Sequence, residues 1–335
     1  MSKVIVAWDT ETALFRPGVM APEIACVTWA QGSLHGIIHH TNALEHLTHW
    51  LDDDNTTMVG QNVAYDFGVV CAKWPGLVTP VFQKYEKSLI TDTMIRQQLQ
   101  DIDEGCFRGF LRDDGTWCKL DYSLEALCRR HLKKQLDKDT WRLRYGELID
   151  VSLDNWPEGA KTYPIEDAIS TLQVYMCQRD QPDEYSQARA AWALHLASAW
   201  GVRTDPDKVE AFEVEMLKEH GAVRERCKQY GFVRENGVRN TKVVQAYIQE
   251  VCNREGLPVR LTPAGKPSLD ADACEATEDP KLIDYARLTQ YGSVVAKDLP
   301  MLRDGVKFPI HTRYGLVETG RTSSSKPNVQ NIRRI

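Results

Sequence analysis

Three short patterns hold side chains able to do chemistry: Asp9-Thr10-Glu11-Thr12, Asn62-Val63-Ala64-Tyr65-Asp66 and Tyr163-Pro164-Ile165-Glu166-Asp167. The first follows the apolar run Val4-Ile5-Val6-Ala7-Trp8. Side chains alternate along a strand, so Asp9 and Glu11 would leave one face at its mouth, where two close carboxylates repel unless a cation lies between them. A solvated strand end accounts for the same residues. In the second pattern, Asn62 is a natural helix N-cap and Asp66 lies one turn further along the same face. Capping and the helix dipole suffice to explain both. In the third, proline is tolerated in the first helical turn, so a helix is expected to start there, with Tyr163 and Asp167 on adjoining turns. A phenol and a carboxylate held together can position a water, although an ordinary capped helix with Glu166 and Asp167 in solvent fits as well. What singles the patterns out is their order: D-x-E on a first strand, N-x-x-x-D after a later strand, then Y-x-x-x-D on a helix.

These patterns need elements to present them. Residues 3–8, 24–30 and 34–40 read as strands, the last two joined by the turn-like Gln31-Gly32-Ser33, and a meander is the simplest pairing. A helix over 43–52, a strand at 57–60, a helix from 62 to about 73 and a strand near 88–92 follow. Strands alternating with helices bring parallel strands into the sheet after its antiparallel start, giving a mixed sheet with helices on its faces. Helices are then expected at 122–131 and 163–178. Pro182 and the acidic Asp183-Glu184 suggest a boundary. Beyond it the helices lengthen, and Val209, Phe212, Met216, Val223, Cys227 and Tyr230 approximate one apolar face. Breaks at Leu257-Pro258, residues 262–267 and Asp279-Pro280 divide these helices. Residues 303–335 hold seven Lys/Arg against two Asp/Glu.

A chain of 335 residues is long enough for two or three such units. With 42% hydrophobic and 26% charged residues it has the composition of an ordinary globular protein. The formal net charge of −6 excludes a histone-like binder but not a local basic track for phosphate. No stretch approaches the ~18 apolar residues of a membrane span, and the first residues lack a signal-peptide profile, so the expected location is the cytoplasm. The nine cysteines are scattered without a C-x-x-C and read as reduced thiols; Cys118, Cys128 and His131 fit no usual zinc spacing.

Taken in order, the three patterns resemble the exonuclease motifs of the DEDD superfamily in its tyrosine variant. Thr162, five residues before Asp167, stands where the histidine variant carries its histidine. Leu89-Ile90-Thr91-Asp92-Thr93-Met94 and Tyr122-Ser123-Leu124-Glu125-Ala126-Leu127 look like parts of the proofreading domain of bacterial DNA polymerase I. The resemblance continues beyond that domain. Residues 262–269 (Thr-Pro-Ala-Gly-Lys-Pro-Ser-Leu) are similar to a thumb loop of family A DNA polymerases, and residues 319–332, from Thr319-Gly320-Arg321 to Gln330-Asn331-Ile332, to the opening motif of their palm. The later palm aspartates and the fingers helix of that family have no counterpart here. With the exonuclease strand starting at Lys3 and no flap-nuclease domain before it, a bacteriophage-type enzyme is expected.

The resemblance implies an α/β fold: a ribonuclease H-like mixed-sheet exonuclease domain over 1–185, a mostly helical thumb over 186–302 and an incomplete palm over 303–335. It implies 3′–5′ proofreading exonuclease activity in DNA replication, with two Mg²⁺ (or Mn²⁺) ions and single-stranded 3′ ends or primer-template DNA as partner. Asp9, Glu11 and Asp167 are assigned to the ion nearer the attacking water, Asp66 to the second, and Tyr163 to orienting the nucleophile; Thr10 and Asn62 are expected to place the terminal nucleotide. Arg321, Lys326, Asn328 and Gln330 would lie along duplex DNA. Arg129, Arg130, Lys133, Lys134, Arg142 and Arg144 are either phosphate contacts or a solvated face. The alternatives are a DNA-binding subunit of a polymerase completed by a second polypeptide, or an inactive truncated product.

Overall fold

In the computed structural model, which describes residues 3–332 apart from 17, 20, 108, 137–139, 318 and 320, the chain folds as two compact units. Gly320 of the palm-like stretch lies outside the described residues. The first unit comprises residues up to 201 together with 311–330, and the second residues 202–310 together with 331–332.

The first unit is built on a five-stranded mixed sheet in the order β3-β2-β1-β4-β5. Its strands are β1 (Val4–Thr12), β2 (Ile24–Gln31), β3 (Leu34–His39), β4 (Thr56–Gly60) and β5 (Ile90–Asp92). β1, β2 and β3 form the antiparallel meander, while β4 and β5 join in parallel through the crossover helices α1 (Ala43–Asp52), α2 (Val63–Lys73) and α3 (Val78–Glu86). The mixed α/β fold is as expected from the alternation of strand and helix patterns.

β1 outruns its parallel neighbour. Its pairing with β4 ends at Ala7 opposite Val59, whereas β1 itself continues to Thr12, paired with β2 alone. Asp9 and Glu11 therefore lie inside the strand rather than beyond its end, and the alternation still holds. Val6 and Trp8 face a large core shared with α2, where Trp8 meets Phe67 with ring centroids 4.7 Å apart. Ala7 faces the other way, packing with Val59, Ala168 and Leu172. That second face is covered by α6 (Glu158–Cys177), and three small residues at the contact, Ala7, Ala30 and Ala168, let the helix approach the sheet.

Between β5 and α6 come α4 (Thr93–Asp103), a short hairpin β6 (Phe110–Leu111) and β7 (Trp117–Cys118), α5 (Leu124–His131) and a one-turn helix at Thr140–Leu143. After α6, helix α7 (Glu184–Trp200) buries Ala188 and Trp192 in the core of the first unit. Trp192 is stacked on Tyr85 (5.9 Å, 13°) and His195 (6.2 Å, 11°) and meets Phe67 edge-on. The boundary expected at 185 therefore falls one helix too early: Pro182 and the acidic pair mark a turn, not the end of the packed core. Residues 311–330 also belong to this unit. His311 Nδ1 lies 3.1 Å from the Ser198 carbonyl, and the Tyr314 N–H donates to the Ser198 hydroxyl (3.3 Å).

The second unit is helical, with α8 (Pro206–Gln229), α9 (Thr241–Glu255), α10 (Ala271–Glu275), α11 (Pro280–Ser293) and α12 (Leu299–Lys307). Asp205 and Asp279 cap α8 and α11, each followed by proline at the first helical position, as start signals of this kind require. Val209, Met216, Val223 and Cys227 are buried on α8, the face expected from their spacing. Arg226 ties α8 to α11 through two 2.8 Å bonds to Asp284. The final hairpin, β8 (Arg313–Leu316) and β9 (Thr322–Ser325), returns to the first unit. No helix among the described residues is long and apolar enough to cross a membrane.

If α7 is part of the first core, removing its anchor must weaken that core. Trp192→Ala is expected to cost about 3–5 kcal/mol, measured as a lower urea midpoint of the unfolding transition of the first unit.

Candidate active site

Strand parity and helix placement bring the three patterns together. Asp9 and Glu11 share the face of β1 that α6 covers, and α6 carries Tyr163 and Asp167. Carboxylate oxygens of Asp9, Glu11 and Asp167 lie within 4.8 Å of one another. Asp66 reaches the same place from α2 on the other side of the strand. Val4 opens the β4-facing edge of β1 by donating its N–H to the Asn55 carbonyl (2.9 Å). Where β4 has ended, the Thr10 N–H donates to Asp66 Oδ1 instead (3.0 Å), and the Thr10 hydroxyl donates to the same oxygen (2.6 Å).

Thr10 is thus buried, with its side chain and N–H committed to Asp66, and alternation turns that side chain away from Asp9 and Glu11. Asn62 differs from expectation as a cap. It stands at the N-cap of α2 but in the left-handed region (φ 61°, ψ 43°), and its side chain makes no capping bond. The N–H groups of Asn62 and Val63 go to Asp92 instead, at 3.1 and 2.8 Å.

The third pattern lies within a helix rather than at its start. α6 begins at Glu158, so Pro164 is internal and has no N–H for the carbonyl of Ala160 one turn back. The fully buried Tyr145 fills the gap, its hydroxyl donating to the Ala160 oxygen at 3.0 Å. Proline at 164 is therefore accommodated from outside the helix, and Tyr163 and Asp167 keep their adjoining turns. The Tyr163 phenol lies near enough to Asp167 to favour its ionised carboxylate.

Electrostatically the cluster is under strain. Burial, followed by the charges of Asp66, Glu11 and Asp167, holds the Asp9 carboxyl well above the usual carboxylate range. Glu11 is raised in the same way, with burial first and then Asp167 and Asp66. Burial pushes Asp66 up to about 7 even though Thr10 donates to it twice, and Asp167 up to about 6 against the opposing pull of Tyr163, Arg142 and Lys134. Four oxygen-bearing groups that repel one another in a partly dry site are the donor set a hard divalent cation takes. A second acidic group, Asp101, Glu104 and Cys106, differs: Arg130 holds Asp101 with bonds of 2.8 and 2.6 Å, and Arg179 pairs with Glu104.

Of the basic residues considered, Arg130 is committed to Asp101 and Arg144 to Glu147. Arg129 lies 3.7 Å from Glu125, and Lys133 donates to the Arg130 carbonyl. Lys134 bonds Glu166 (2.5 Å) and Ser170 beside Asp167. The exposed Arg142 lowers the pKa of Glu11, Tyr163 and Asp167, which puts its charge at the site. Arg321 and Lys326 are exposed on the terminal hairpin and its following loop; there Ser324 donates to Asn328 Oδ1, and the Gln330 side chain donates to the Thr322 hydroxyl.

Sequence reasoning gave no role to Asp92, which it named only as part of a resembling stretch, to Tyr145, or to the ring pair Phe15 and Tyr65, whose centroids lie 5.9 Å apart. Asp92 had a readable signal, an aspartate directly before a helix; the other contacts are between distant segments and had none.

A mixed sheet thus gathers carboxylates at the end of its central strand, with a tyrosine on the covering helix. Residues 2–177, more than half of the chain, match the family profile described as 3′–5′ exonuclease, of the DNA polymerase A type, and the chain belongs to that family. Over 98% of its length the chain is similar to 53% of a solved structure, the POL domain of Pol1 from M. smegmatis in complex with DNA primer-template and dNTP, with a TM-score of 0.61 and 16% identity. The chain spans about half the length of that structure, and a likeness at this identity bears on the fold alone.

Two outcomes follow from the geometry. Tyr145→Phe strands the Ala160 carbonyl and is expected to destabilise the first unit by about 1–3 kcal/mol, seen by chemical denaturation. The raised carboxylates also set a sign. Their protonated forms are favoured in the metal-free fold, so its stability falls as pH rises from the unfolded carboxylate range (about 4) through about 6 for Asp167 and about 7 for Asp66. Adding Mg²⁺ should raise the melting temperature more at pH 8 than at pH 5.5, where protons compete for the same oxygens; thermal scans at both pH values, with and without Mg²⁺, check this.

Proposed function

We propose that this chain is a 3′–5′ exodeoxyribonuclease that removes the 3′-terminal nucleotide of DNA, serving as the proofreading portion of a family A DNA polymerase in DNA replication. The observation that carries this reading is the convergence of Asp9, Glu11 and Asp167 within 4.8 Å, with Asp66 alongside, in a chain of this family. Two divalent ions, Mg²⁺ or Mn²⁺, would supply an activated water and neutralise charge on the attacked phosphate and the leaving 3′ oxygen. Asp9, Glu11 and Asp167 would hold the ion nearer the water, and Asp66 the second.

The protein's own groups do the rest. Burial, with the charges of Asp167 and Glu11, pushes the Tyr163 phenol well up, so it stays protonated and orients the water as a hydrogen-bonding group rather than as a base. Thr10 keeps Asp66 turned toward the site. Arg142 offers a cation to the scissile phosphate. Leu14 and Phe15, more than half exposed directly after the carboxylates, and the half-buried Tyr65 offer apolar and aromatic surface against which splayed terminal bases stack, which favours single-stranded 3′ ends with little sequence preference.

We read 202–310 as the thumb of such a polymerase, with Arg321, Lys326, Asn328 and Gln330 in the opening segment of the palm, beside duplex DNA. Synthesis belongs on this reading to the part of a polymerase that this chain does not span.

The test is a gel assay of 5′-labelled single-stranded DNA with Mg²⁺. Wild type should give a ladder shortening from the 3′ end, abolished by chelation. Asp9→Ala should slow it roughly 10²-fold or more, as loss of a metal ligand removes several kcal/mol of transition-state stabilisation. Undiminished shortening by clean Asp9→Ala would overturn the reading.

A further inference from the structure

The stretch Leu89-Ile90-Thr91-Asp92-Thr93-Met94 drew attention in the sequence but has no part in the chemistry above. Asp92, the last residue of β5, is 2% exposed, yet its carboxylate accepts four main-chain N–H bonds. Oδ1 takes those of Met94 (2.8 Å) and Ile95 (3.3 Å), capping its own helix α4. The same oxygen takes the N–H of Asn62 (3.1 Å), and Oδ2 that of Val63 (2.8 Å). One side chain thus caps two helices whose starts lie some thirty residues apart in the chain.

The start of α2 depends on help of this kind. Asn62 adopts a left-handed conformation that few non-glycine residues visit, and its side chain gives no cap in return. The turn before it is tight: a Cβ on Gly60 would lie 2.6 Å from Val63 Cγ2. The next residue along, Thr93, extends the junction. Its hydroxyl donates to Gln61 Oε1 (2.5 Å), while Gln61 Nε2 donates to the Tyr122 carbonyl (2.7 Å). The Thr93 carbonyl accepts from Gln178 Nε2 (2.8 Å), the residue that ends α6. The pair Asp92-Thr93 therefore ties the first turn of α2, which leads to Asp66, to the end of the helix that carries Tyr163 and Asp167.

We propose that Asp92 is a positioning residue of the nuclease site: by fixing the main chain of Asn62 and Val63 it sets where Asp66 stands against Asp9, Glu11 and Asp167. The inference rests on the reading of these carboxylates as metal ligands. It makes Asp92 more than a stabilising cap, because a loosened first turn of α2 misplaces one metal-binding group while leaving the other three where they are.

The experiment is a direct Mn²⁺ titration, with free ion followed by electron paramagnetic resonance, alongside Mn²⁺-dependent shortening of single-stranded DNA. Both are run at a temperature where circular dichroism shows every variant folded. Asp92→Ala should raise the Mn²⁺ midpoint about 10- to 100-fold, the range seen when a group that orients a metal ligand is lost, and lower kcat more than it changes KM for DNA. Asp92→Asn keeps Oδ1 and three of the four bonds and should fall in between; it carries the test if the alanine variant does not fold. Val81→Ala, in the core on α3 away from the site, serves as a control of reduced stability and should leave the midpoint in place. An unmoved Mn²⁺ midpoint in Asp92→Ala, or an equal shift in Val81→Ala, would reduce Asp92 to a cap and overturn the proposal. Absence of Mn²⁺ binding by wild type, or an Asp66→Ala variant that binds as wild type does, would instead sink the reading of the carboxylates on which it rests.

Discussion

Carboxylates gathered at the end of one strand repel one another, and the first unit is arranged to hold four of them in place against that repulsion. Two unit charges 4 Å apart interact by about 4 kcal/mol at an effective dielectric of 20. Burial raises the pKa values of Asp9, Glu11, Asp66 and Asp167, and at Asp9 and Glu11 repulsion from the neighbouring carboxylates adds to it. What offsets it lies in the scaffold: β1 is anchored by Trp8 in one core and Ala7 in another, so the strand that carries Asp9 and Glu11 is clamped on both faces. Helix α6 comes close enough to deliver Asp167 because alanines line the contact. The overrun of β1 past β4 then frees the Thr10 N–H, and Asp66 takes it.

A second constraint follows from the first. Elements that meet at such a point must start and bend where the site needs them, and in two places the main chain departs from its ordinary bonding to do so. In α6 the proline after Tyr163 removes a helical bond, and the Tyr145 hydroxyl takes over the Ala160 carbonyl. At the start of α2 the left-handed Asn62 leaves N–H groups that its own side chain does not serve, and Asp92 serves them. Departures of this kind persist only where surrounding structure fixes them, and here both flank residues of the site. Each is repaired from a distant segment, so the local irregularity becomes a long-range tie.

That pattern explains what the sequence discloses and what it does not. The apolar run of Val4 to Trp8, the helix at 43–52 and the apolar face of α8 are local signals, and they stand in the structure as strand, helix and buried face. Asp9, Glu11 and Asp167, which the structure brings together, were legible as candidates for the same reason, since D-x-E and the four-residue spacing are patterns within single elements. The partners of Thr10 and Asn62 were not legible, because a residue's type suggests a ligand contact or a local cap, whereas these two meet Asp66 and Asp92, 56 and 30 positions away. The boundary at 185 failed likewise. Nothing in the sequence of α7 announces that Trp192 reaches Phe67 and Tyr85 in an earlier core, because its apolar residues are spread around the helix instead of along one stripe.

The charge balance around the site argues for an order of assembly. Most cations near the carboxylates are already engaged: Arg130 with Asp101, Arg144 with Glu147, Lys134 with Glu166. Arg142 acts on Glu11 and Asp167, and the chain as a whole carries a net charge of −6. Once the pH rises through the elevated pKa values of Asp167 and Asp66 and these carboxylates ionise, a phosphate brought to this place would meet a negative field that the low-dielectric walls do little to screen. On the nuclease reading, divalent ions must therefore enter before or with the DNA end, and they change the sign of the site when they do. The exposed rings and aliphatic groups beside the carboxylates fit that sequence of events, since stacking on bases is insensitive to charge and can hold a strand whose phosphates have not yet met the ions.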